Sequence, residues 1–496
     1  MSNYRSFVKN NLFVLSGHLL IYSQGFILMP IIIKTIGIKV YGGYGILITM
    51  VGLVLGISSF GVGFSRSRFL PATQDKDKRQ ALFYPQFYFQ FASLMLLSLV
   101  IILSYAAFDR LFLKGEVSFA IWLVVPYFIF YLLHSQTTDY FRYTHRINYF
   151  NFSTASYAFL NIIFIILLFS LNYRLTINAL FTVQIVSSML VAVPLTIKMV
   201  REIGLRFVIP NLRDLAEDIK LGFPLVLVYI VDFILNLSDR YVITAFMTIT
   251  AVGYYNSAYA LGSFIVLLPK ISGVVLPPLI AKAVDTGNES EARTMVNYTI
   301  KFFLLAAIPF VVGSAFMSKS LLTLLANNEV AAQAFLVTPI VALGSLFYGL
   351  NIILSNVLFV RLKTAMMFKV NFIAAILNLG LNLLIFYFIR NILVAAVSTL
   401  VSYVVAFIIA QRVISIDWPI NYDYKTIKKI LVASLLMGLV LYYTSSWLVT
   451  DNLRISYVIG EVIVGIIIYC LAILFMRTFS FKELGYLKKL MVKGDR

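Results

Sequence analysis

Apolar runs long enough to cross a lipid bilayer recur from one end of this chain to the other. A membrane-spanning helix needs about 20 consecutive apolar residues, a length that soluble domains rarely contain. Hydrophobic residues make up 61% of the 496 residues and charged residues 12%, against roughly 45–50% and about 25% in soluble domains. The sequence therefore predicts an all-α integral membrane protein and excludes a soluble globule.

Fourteen runs have the required length, and each is bounded by charged residues or by Asn, Pro or Gly. They cover residues 11–33, 42–64, 81–105, 119–138, 152–173, 176–197, 221–248, 253–279, 297–317, 334–358, 365–389, 391–411, 428–449 and 454–476. An even number of spans puts both termini on one side of the membrane. Of the 40 Lys and Arg residues, 30 fall on that side and 8 on the other. Because basic loops stay in the cytoplasm, we expect both termini to be cytoplasmic. The net charge of +19 is then mainly a topology signal, and nucleic acid is not an expected partner.

A weak internal repeat divides these spans. Gly42-x-Tyr44 recurs as Gly253-x-Tyr255, an offset of 211 residues that corresponds to six helices. Two such halves enter the membrane in the same direction and are related by an axis along the bilayer normal. We therefore expect two pseudo-symmetric six-helix lobes, joined through a short interfacial helix at 209–220, with two further helices. The predicted domains are 1–208 (helices 1–6), 209–416 (linker helix and helices 7–12) and 417–496 (helices 13–14 and a basic cytoplasmic tail).

Polar residues inside predicted helices 7 and 8 are the main candidate site, since charged groups near the bilayer centre are costly. Helix 7 carries Asp232, Asn236, Asp239 and Arg240, and helix 8 carries Asn256, Ser263 and Lys270. In one interpretation these residues line a water-filled cavity, where Lys270 and Arg240 contact an anionic group such as a diphosphate. In the other, Asp232 or Asp239 neutralises Lys270 or Arg240 in a buried pair that fixes packing.

Three arginines at helix ends are weaker candidates. Arg66 and Arg68 follow predicted helix 2, and Arg361 follows helix 10. They act either as topology anchors or as attractors of an anionic headgroup. The three histidines have no carboxylate or thiolate at metal-ligand spacing, and no phosphate-binding loop is present. We expect no metal, no cofactor and no nucleotide hydrolysis, so a proton or sodium gradient, or the gradient of the transported substrate itself, has to drive any net flux.

Four short stretches resemble a known family. They are IGIKVYGGY (36–44), GVGFSRSRF (61–69), DRYVI (239–243) and VGYYNSA (252–258). These residues, with the 6 + 6 + 2 helix arrangement, are similar to the bacterial polysaccharide transporter family. This family contains the flippases of O-antigen and capsule repeat units, and its superfamily also holds multidrug exporters and peptidoglycan-precursor flippases.

The resemblance implies a multi-pass protein of the bacterial inner membrane that is not an enzyme. Its implied activity is to move undecaprenyl-diphosphate-linked oligosaccharides between leaflets by alternating access. Asp239 and Arg240 match the family pattern, whereas Lys270 is supported only by its position. The expected partners are the lipid-linked oligosaccharide and membrane lipids, with polysaccharide assembly enzymes as candidates and the oligomeric state left open. The alternatives are a multidrug exporter, a peptidoglycan-precursor flippase or, in another class, an integral membrane glycan polymerase or ligase.

Overall fold

A computed structural model describes residues 24–208, 210–447 and 455–478. Within these ranges the chain consists of α-helices joined by short turns, and no β-strand occurs. The predicted basic tail from residue 479, the start of the first predicted span (11–23) and residues 448–454, which include the end of the predicted span 428–449, lie outside the described residues. All fourteen predicted spans overlap a described helix.

By its packing contacts the chain divides into two compact units, Asn10–Gly253 (the N-terminal unit) and Tyr254–Arg496 together with Met1–Lys9 (the C-terminal unit). The first unit contains α1 (Gln24–Ile36), α2 (Ile38–Ser58), α3 (Gly63–Phe69), α4 (Lys76–Phe108), α5 (Val124–Tyr143), α6 (Ile147–Ser170), α7 (Ile177–Ile203), α8 (Leu212–Leu237), α9 (Asp239–Phe246) and the start of α10 (Ile249–Gly262). The second contains the rest of α10, α11 (Leu267–Asp285), α12 (Glu289–Leu325), α13 (Asn328–Ala334), α14 (Val337–Val360), α15 (Thr364–Phe388), α16 (Ile392–Asp417), α17 (Tyr424–Trp447) and α18 (Ile455–Phe475). The sequence repeat put the boundary after residue 208, and that division stays a prediction.

Eleven of the described helices are long and apolar enough to cross a membrane, or twelve if α8 and α9 form one bent span. The predicted count of fourteen is not reached by this measure, because α5 is too polar and α1 is described only from Gln24. Helix α5 buries His134, Gln136, Thr137 and Thr138 and packs against α4, α6 and α7. A polar helix is tolerated in a bilayer when neighbouring helices satisfy its side chains.

Two predicted helices are irregular in the structure. The linker at 209–220 is not a separate helix, because its residues from Leu212 form the first part of α8, which continues past Pro224 to Leu237. Helix α8 then meets α9 at an angle of 48°. Predicted helix 8 is likewise divided into α10 and α11 by a 3₁₀ turn at Phe264–Val266. The polar residues of helices 7 and 8 therefore lie next to breaks and not along straight helices.

Helix α2 packs along its length against the segment from α8 to α10. At one end, a Cβ placed on Gly61 would lie 2.1 Å from the carbonyl carbon of Gly222. In the middle, the Tyr229 hydroxyl donates a hydrogen bond of 2.6 Å to the Gly52 carbonyl. At the other end, a Cβ on Gly42 would lie 2.8 Å from the Gly253 nitrogen. The absence of side chains at these glycines lets the two backbones touch.

In the C-terminal unit, α14 packs against α16 and α12, while α17 packs against α12 and α18. Met317 of α12, Met437 and Leu441 of α17 and Val458 of α18 form a buried apolar cluster. Helices α17 and α18, which lie outside the sequence repeat, therefore pack on α12 through apolar contacts.

Candidate functional site

The polar residues of predicted helix 7 lie on both sides of the bend between α8 and α9. Asp239 and Arg240 are buried, with 0% and 8% of their surface exposed, and Asp232 and Asn236 are half-buried. The Asn236 amide donates a 2.8 Å hydrogen bond to the Asp232 carbonyl. Arg240 Nη1 donates a 2.8 Å hydrogen bond to the Asn236 carbonyl. This hydrogen bond joins the first turn of α9 to the last turn of α8 across the bend.

Asn256 and Lys270 belong to the C-terminal unit. Asn256 is buried on α10, and its Oδ1 atom accepts no hydrogen bond. Lys270 is exposed on the first turns of α11. The 3₁₀ turn at Phe264–Val266 separates the two residues, so they do not belong to one continuous helix.

The two arginines after α2 differ in their surroundings. Arg66 is buried on α3 with 3% of its surface exposed, and its guanidinium carbon lies 5.5 Å from the centre of the Phe83 ring. Arg68 is exposed and stacks on Phe69 at 5.5 Å. Only Arg68 has the exposure expected of a topology anchor.

Arg361 connects the end of α14 to the start of α12. Its Nη2 lies 2.8 Å from Glu289 Oε1, and its guanidinium carbon lies 5.2 Å from the centre of the Trp418 ring. In this arrangement the charge of Arg361 is balanced by a carboxylate of its own unit.

We expect Arg361→Gln to cause a small loss of stability. Partly exposed ion pairs contribute about 0.2–1 kcal/mol, and a cation–π contact adds roughly 0.5–1 kcal/mol. A double-mutant cycle of thermal unfolding with Glu289→Gln measures the coupling, with the exposed Arg412→Gln as the control. A coupling well above about 2 kcal/mol contradicts this assignment.

Sequence reasoning missed a group of polar residues at the junction of α3, α4, α5 and α8. Asp218 of α8 accepts a 2.7 Å hydrogen bond from the Gln86 amide of α4, and Asp139 of α5 lies 2.9 Å from Arg142. One helical turn away, the side-chain amide of Gln136 on α5 donates a hydrogen bond to the side-chain oxygen of Gln90 on α4. The signal available in the sequence was the spacing of Gln86 and Gln90, four residues apart inside an apolar run.

The connector before α17 is fixed by Asp423, which caps this helix. Asp423 accepts a 3.1 Å hydrogen bond from the Thr426 amide and a shorter one from the Thr426 hydroxyl. Lys301 of α12 lies 3.8 Å from the carboxylate. The Thr426 hydroxyl, more than any other group, lowers the pKa of Asp423 below its ordinary value of 3.8.

Because the folded pKa is lowered, the ionised Asp423 contributes stability above about pH 3.8 and loses it as the pH falls through the folded value. Loss of an N-cap costs about 1 kcal/mol. We expect Asp423→Ala to lower the melting temperature at pH 7, and the gap to wild type to shrink in acid. Asn421→Ala is the neighbouring control. A gap independent of pH contradicts the ionic part of the cap.

Both copies of the repeated Gly-x-Tyr motif lie where α2 packs against α10. Gly42 and Gly253, which the 211-residue offset aligns, touch each other at the N-terminal ends of α2 and α10. A Cβ on Gly253 would lie 2.3 Å from the Ile38 carbonyl oxygen. The recurrence of Gly at these positions has a steric explanation, since neither position tolerates a side chain.

A family model described as "Polysaccharide biosynthesis protein" matches residues 7–284, which is more than half of the chain. The chain belongs to the polysaccharide biosynthesis protein family. This membership confirms the resemblance seen in the motifs at 36–44, 61–69 and 239–258. A second family model, MatE, matches residues 224–384.

Among curated relatives, a probable low-salt glycan biosynthesis flippase, Agl15 of Haloferax volcanii, is 24% identical over 232 residues. The match covers 47% of this chain and 48% of that relative, so the chain spans about half the length of the relative it matches.

Solved structures share the fold at low sequence identity. A lipid II flippase MurJ in an inward closed conformation matches with a TM-score of 0.67 and 16% identity, over 96% of this chain and 98% of that chain. An inward-facing multidrug resistance MATE family transporter of the MOP superfamily matches with a TM-score of 0.62 and 12% identity, over 88% of this chain and 99% of that chain. This chain, a multi-pass membrane protein, therefore has the fold of these MurJ and MATE structures. These relatives are flippases and transporters and not catalysts, in line with the expectation that the chain is not an enzyme.

Proposed function

We propose that this chain is a flippase that moves undecaprenyl-diphosphate-linked oligosaccharide repeat units across the bacterial inner membrane by alternating access. The observation that carries the proposal is the polysaccharide biosynthesis family match over residues 7–284 in a chain that has the fold of a lipid II flippase over 96% of its length. The archaeal relative is named as a glycan biosynthesis flippase. Both proteins are named as flippases, one of glycan biosynthesis and one of lipid II, and this supports a lipid-linked glycan as the proposed cargo.

The proposed topology has fourteen spans in two six-helix lobes plus a pair, with both termini in the cytoplasm. It is supported by the distribution of basic residues, 30 on one side and 8 on the other. The cargo would then be loaded from the basic side, where the lipid diphosphate is made available to the protein.

The proposed cargo has a charged, a polar and an apolar part, and the chain has matching chemistry. Lys270 and Arg240 are the proposed contacts of the diphosphate, with Asp232, Asp239, Asn236 and Asn256 as further polar candidates, and Arg66, Arg68 and Arg361 as weaker ones. For the prenyl chain, the C-terminal unit has an apolar cavity of about 490 Å³ bounded by α10, α12, α17 and α18. Pro309, Gly313 and Gly465 leave room in its wall.

Lys270 provides the sharpest residue test of this cargo. We expect Lys270→Ala, at native expression, to reduce surface glycan at least tenfold, while Lys270→Arg retains more activity because it keeps the charge. Lys282→Ala, an exposed lysine on the same helix, is the matched control. Normal glycan display by Lys270→Ala removes this residue from the proposed site.

A proton or sodium gradient is the proposed energy source, with Asp232 as the candidate ion carrier. We expect Asp232→Asn to abolish the dependence of transport on a pH gradient. An Asp232→Asn protein that responds to the gradient as wild type does removes the carrier role and leaves the flippase proposal intact.

The main alternative is a multidrug exporter, which the MatE match over residues 224–384 favours. A peptidoglycan-precursor flippase is the second, because that cargo is also a lipid diphosphate. A polymerase or ligase is disfavoured, since the longest external loop left between the predicted spans, 318–333, is too short for a catalytic domain. The neighbouring genes distinguish glycan export from drug export, because genes for glycosyltransferases and a polymerase beside this gene favour glycan export.

Deletion of the gene tests the proposal in cells. We expect lipid-linked oligosaccharides to accumulate in the inner leaflet, surface polysaccharide to disappear and drug sensitivity to stay unchanged. Unchanged polysaccharide together with increased drug sensitivity would instead identify an exporter.

A further inference from the structure

Four side chains near the start of α12 and the ends of α14 and α16 are joined by direct contacts. They are Glu289 and Arg293 on the first turns of α12, Arg361 directly after α14 and Trp418 directly after α16. We call these four residues the Arg293 cluster. All belong to the C-terminal unit, and the predicted topology puts all of them on the basic side of the membrane.

Glu289 is shared between the two arginines of the cluster. Its Oε1 lies 2.8 Å from Arg361 Nη2, and its Oε2 lies 3.5 Å from Arg293 Nη2. The guanidinium carbon of Arg361 also lies 5.2 Å from the centre of the Trp418 ring. Among the described side chains, Glu289 is the only carboxylate that pairs with either arginine. One carboxylate therefore faces two guanidinium groups, and the cluster keeps a positive charge.

Three nitrogens of the cluster are buried without a hydrogen-bond acceptor in the described part of the chain. They are Arg293 Nε, Arg361 Nε and Trp418 Nε1. Trp418 has only 2% of its surface exposed, and a buried indole N–H usually has an acceptor. Leaving such donors unpaired is costly. Because all three nitrogens are donors, the cluster fits an oxygen-rich anion and not a cation.

The cluster is open to a ligand. The side chains of Arg361 and Arg293 keep 28% and 39% of their surface exposed. Each guanidinium donates to Glu289 through Nη2 and so retains further N–H groups. The planar fork of a guanidinium matches the spacing of phosphate oxygens. Two such forks beside each other, with the indole N–H next to one of them, are suited to a phosphate group.

Exposed apolar side chains lie next to the cluster. Phe359 and Leu362, on either side of Arg361, are 57% and 88% exposed, and Ile416, two residues before Trp418, is 81% exposed. At a membrane helix end, apolar side chains contact acyl chains, while Arg side chains reach the headgroups. Basic pockets between membrane helices on the cytoplasmic side bind lipid phosphates. The surroundings therefore favour the phosphate of a lipid over a free phosphate ion.

We propose that Arg293, Arg361 and Trp418 bind the phosphate group of an anionic phospholipid of the surrounding bilayer, on the basic side of the membrane. Glu289 is a positioning residue that holds the two guanidinium groups together without neutralising both. A zwitterionic lipid carries the same phosphate beside a cationic group, which the remaining positive charge repels. The bound lipid is a neighbour of the protein and not its cargo, so this site goes beyond the proposed function.

Native mass spectrometry of the full-length protein in detergent, titrated with phosphatidylglycerol, tests the proposal. We expect Arg293→Gln to weaken the tightest phosphatidylglycerol site at least roughly tenfold, because charge-assisted hydrogen bonds are lost. Trp418→Phe, which keeps a ring and removes the N–H donor, is expected to weaken it less. Arg412→Gln, which removes an exposed charge from α16, is the matched control and is expected to bind as wild type does. Phosphatidylcholine is expected to bind weakly to every variant.

Arg293→Lys is the second variant, and it serves alone if Arg293→Gln does not fold. It keeps the charge and removes the planar donors, so weaker phosphatidylglycerol binding is again expected. Wild-type binding by the Arg293 variant overturns the proposal. An equal loss in Arg412→Gln also overturns it, because the lipid then responds to surface charge in general.

Two competitors distinguish the source of the phosphate. Neither inorganic phosphate nor farnesyl diphosphate is expected to displace phosphatidylglycerol at equal concentration. Displacement by inorganic phosphate overturns the lipid assignment. Farnesyl diphosphate that displaces the phospholipid, and that binds more weakly to Arg293→Gln, identifies a contact for an isoprenoid diphosphate and overturns the assignment to a bilayer phospholipid.

Discussion

Gly222→Ala is expected to abolish transport and to lower the melting temperature by several degrees. A Cβ on Gly222 would lie 1.9 Å from the carbonyl oxygen and 2.4 Å from the carbonyl carbon of Gly61. Both are backbone atoms, so no side chain can rotate to make room, and α8 has to move away from the α2–α3 corner. Overpacking of this kind costs typically 1–3 kcal/mol. Because α2 contacts α8 to α10 along its length, we expect displacement at one end to disturb the whole contact.

Gly380→Ala is the matched control for this prediction. Gly380 lies inside α15, and a Cβ there would meet no atom within 4 Å. Alanine is a better helix former than glycine by about 1 kcal/mol, so this variant is expected to be as stable as wild type or slightly more stable. Melting temperature in detergent and glycan transport in cells measure both effects. An active, equally stable Gly222→Ala protein contradicts the tight glycine crossing.

Arg240→Met is expected to reduce transport at least tenfold while the protein still reaches the membrane. The change keeps most of the apolar volume and removes the charge and the 2.8 Å hydrogen bond to the Asn236 carbonyl. It also removes a positive charge beside the fully buried Asp239, and changes at buried ionic sites are strongly destabilising. We therefore expect the α8–α9 bend to lose its defined geometry.

Two further variants test whether the positive charge of Arg240 is what transport requires. Arg240→Lys is expected to restore part of the activity if charge matters, and Arg213→Met, an exposed arginine at the start of α8, is expected to be neutral. Transport rate normalised to the amount of protein in the membrane is the measurement. Full activity of Arg240→Met contradicts a role for this side chain in either substrate contact or bend geometry.

The helices were predictable because the membrane imposes a simple requirement, namely about 20 apolar residues for each crossing. This requirement located α14, α15 and α18 within three residues at each end, whereas α12 extends eight residues beyond its predicted span at each end. It does not report breaks: Ser238 between α8 and α9, and Ser263 between α10 and the 3₁₀ turn, lie inside continuous apolar runs. The hydrogen bond from Arg240 to the Asn236 carbonyl, four residues earlier, lies at the first of these breaks.

The candidate site was predictable only in part. Charge inside an apolar run identified Asp239 and Arg240, both of which are buried. Asp218 was predicted only as part of the short interfacial helix at 209–220, because its hydrogen-bond partner Gln86 lies 132 residues away in sequence. Arg66 and Arg68 have the same local sequence signal, and only packing on Phe83 and Phe69 distinguishes the buried residue from the exposed one. Long-range packing of this kind leaves no local pattern.

Flipping of a fluorescent prenyl-diphosphate-linked oligosaccharide in proteoliposomes is the decisive measurement for the proposed flippase activity. Label in the outer leaflet is quenched by a membrane-impermeant reductant, and the protected fraction reports the inner leaflet. We expect that vesicles containing this protein lose the protected fraction, that Gly222→Ala vesicles retain it, and that a cationic drug is not transported. Protein-containing vesicles that protect the labelled lipid as well as empty vesicles do, while they transport the drug, would show that the protein is not a glycan-lipid flippase.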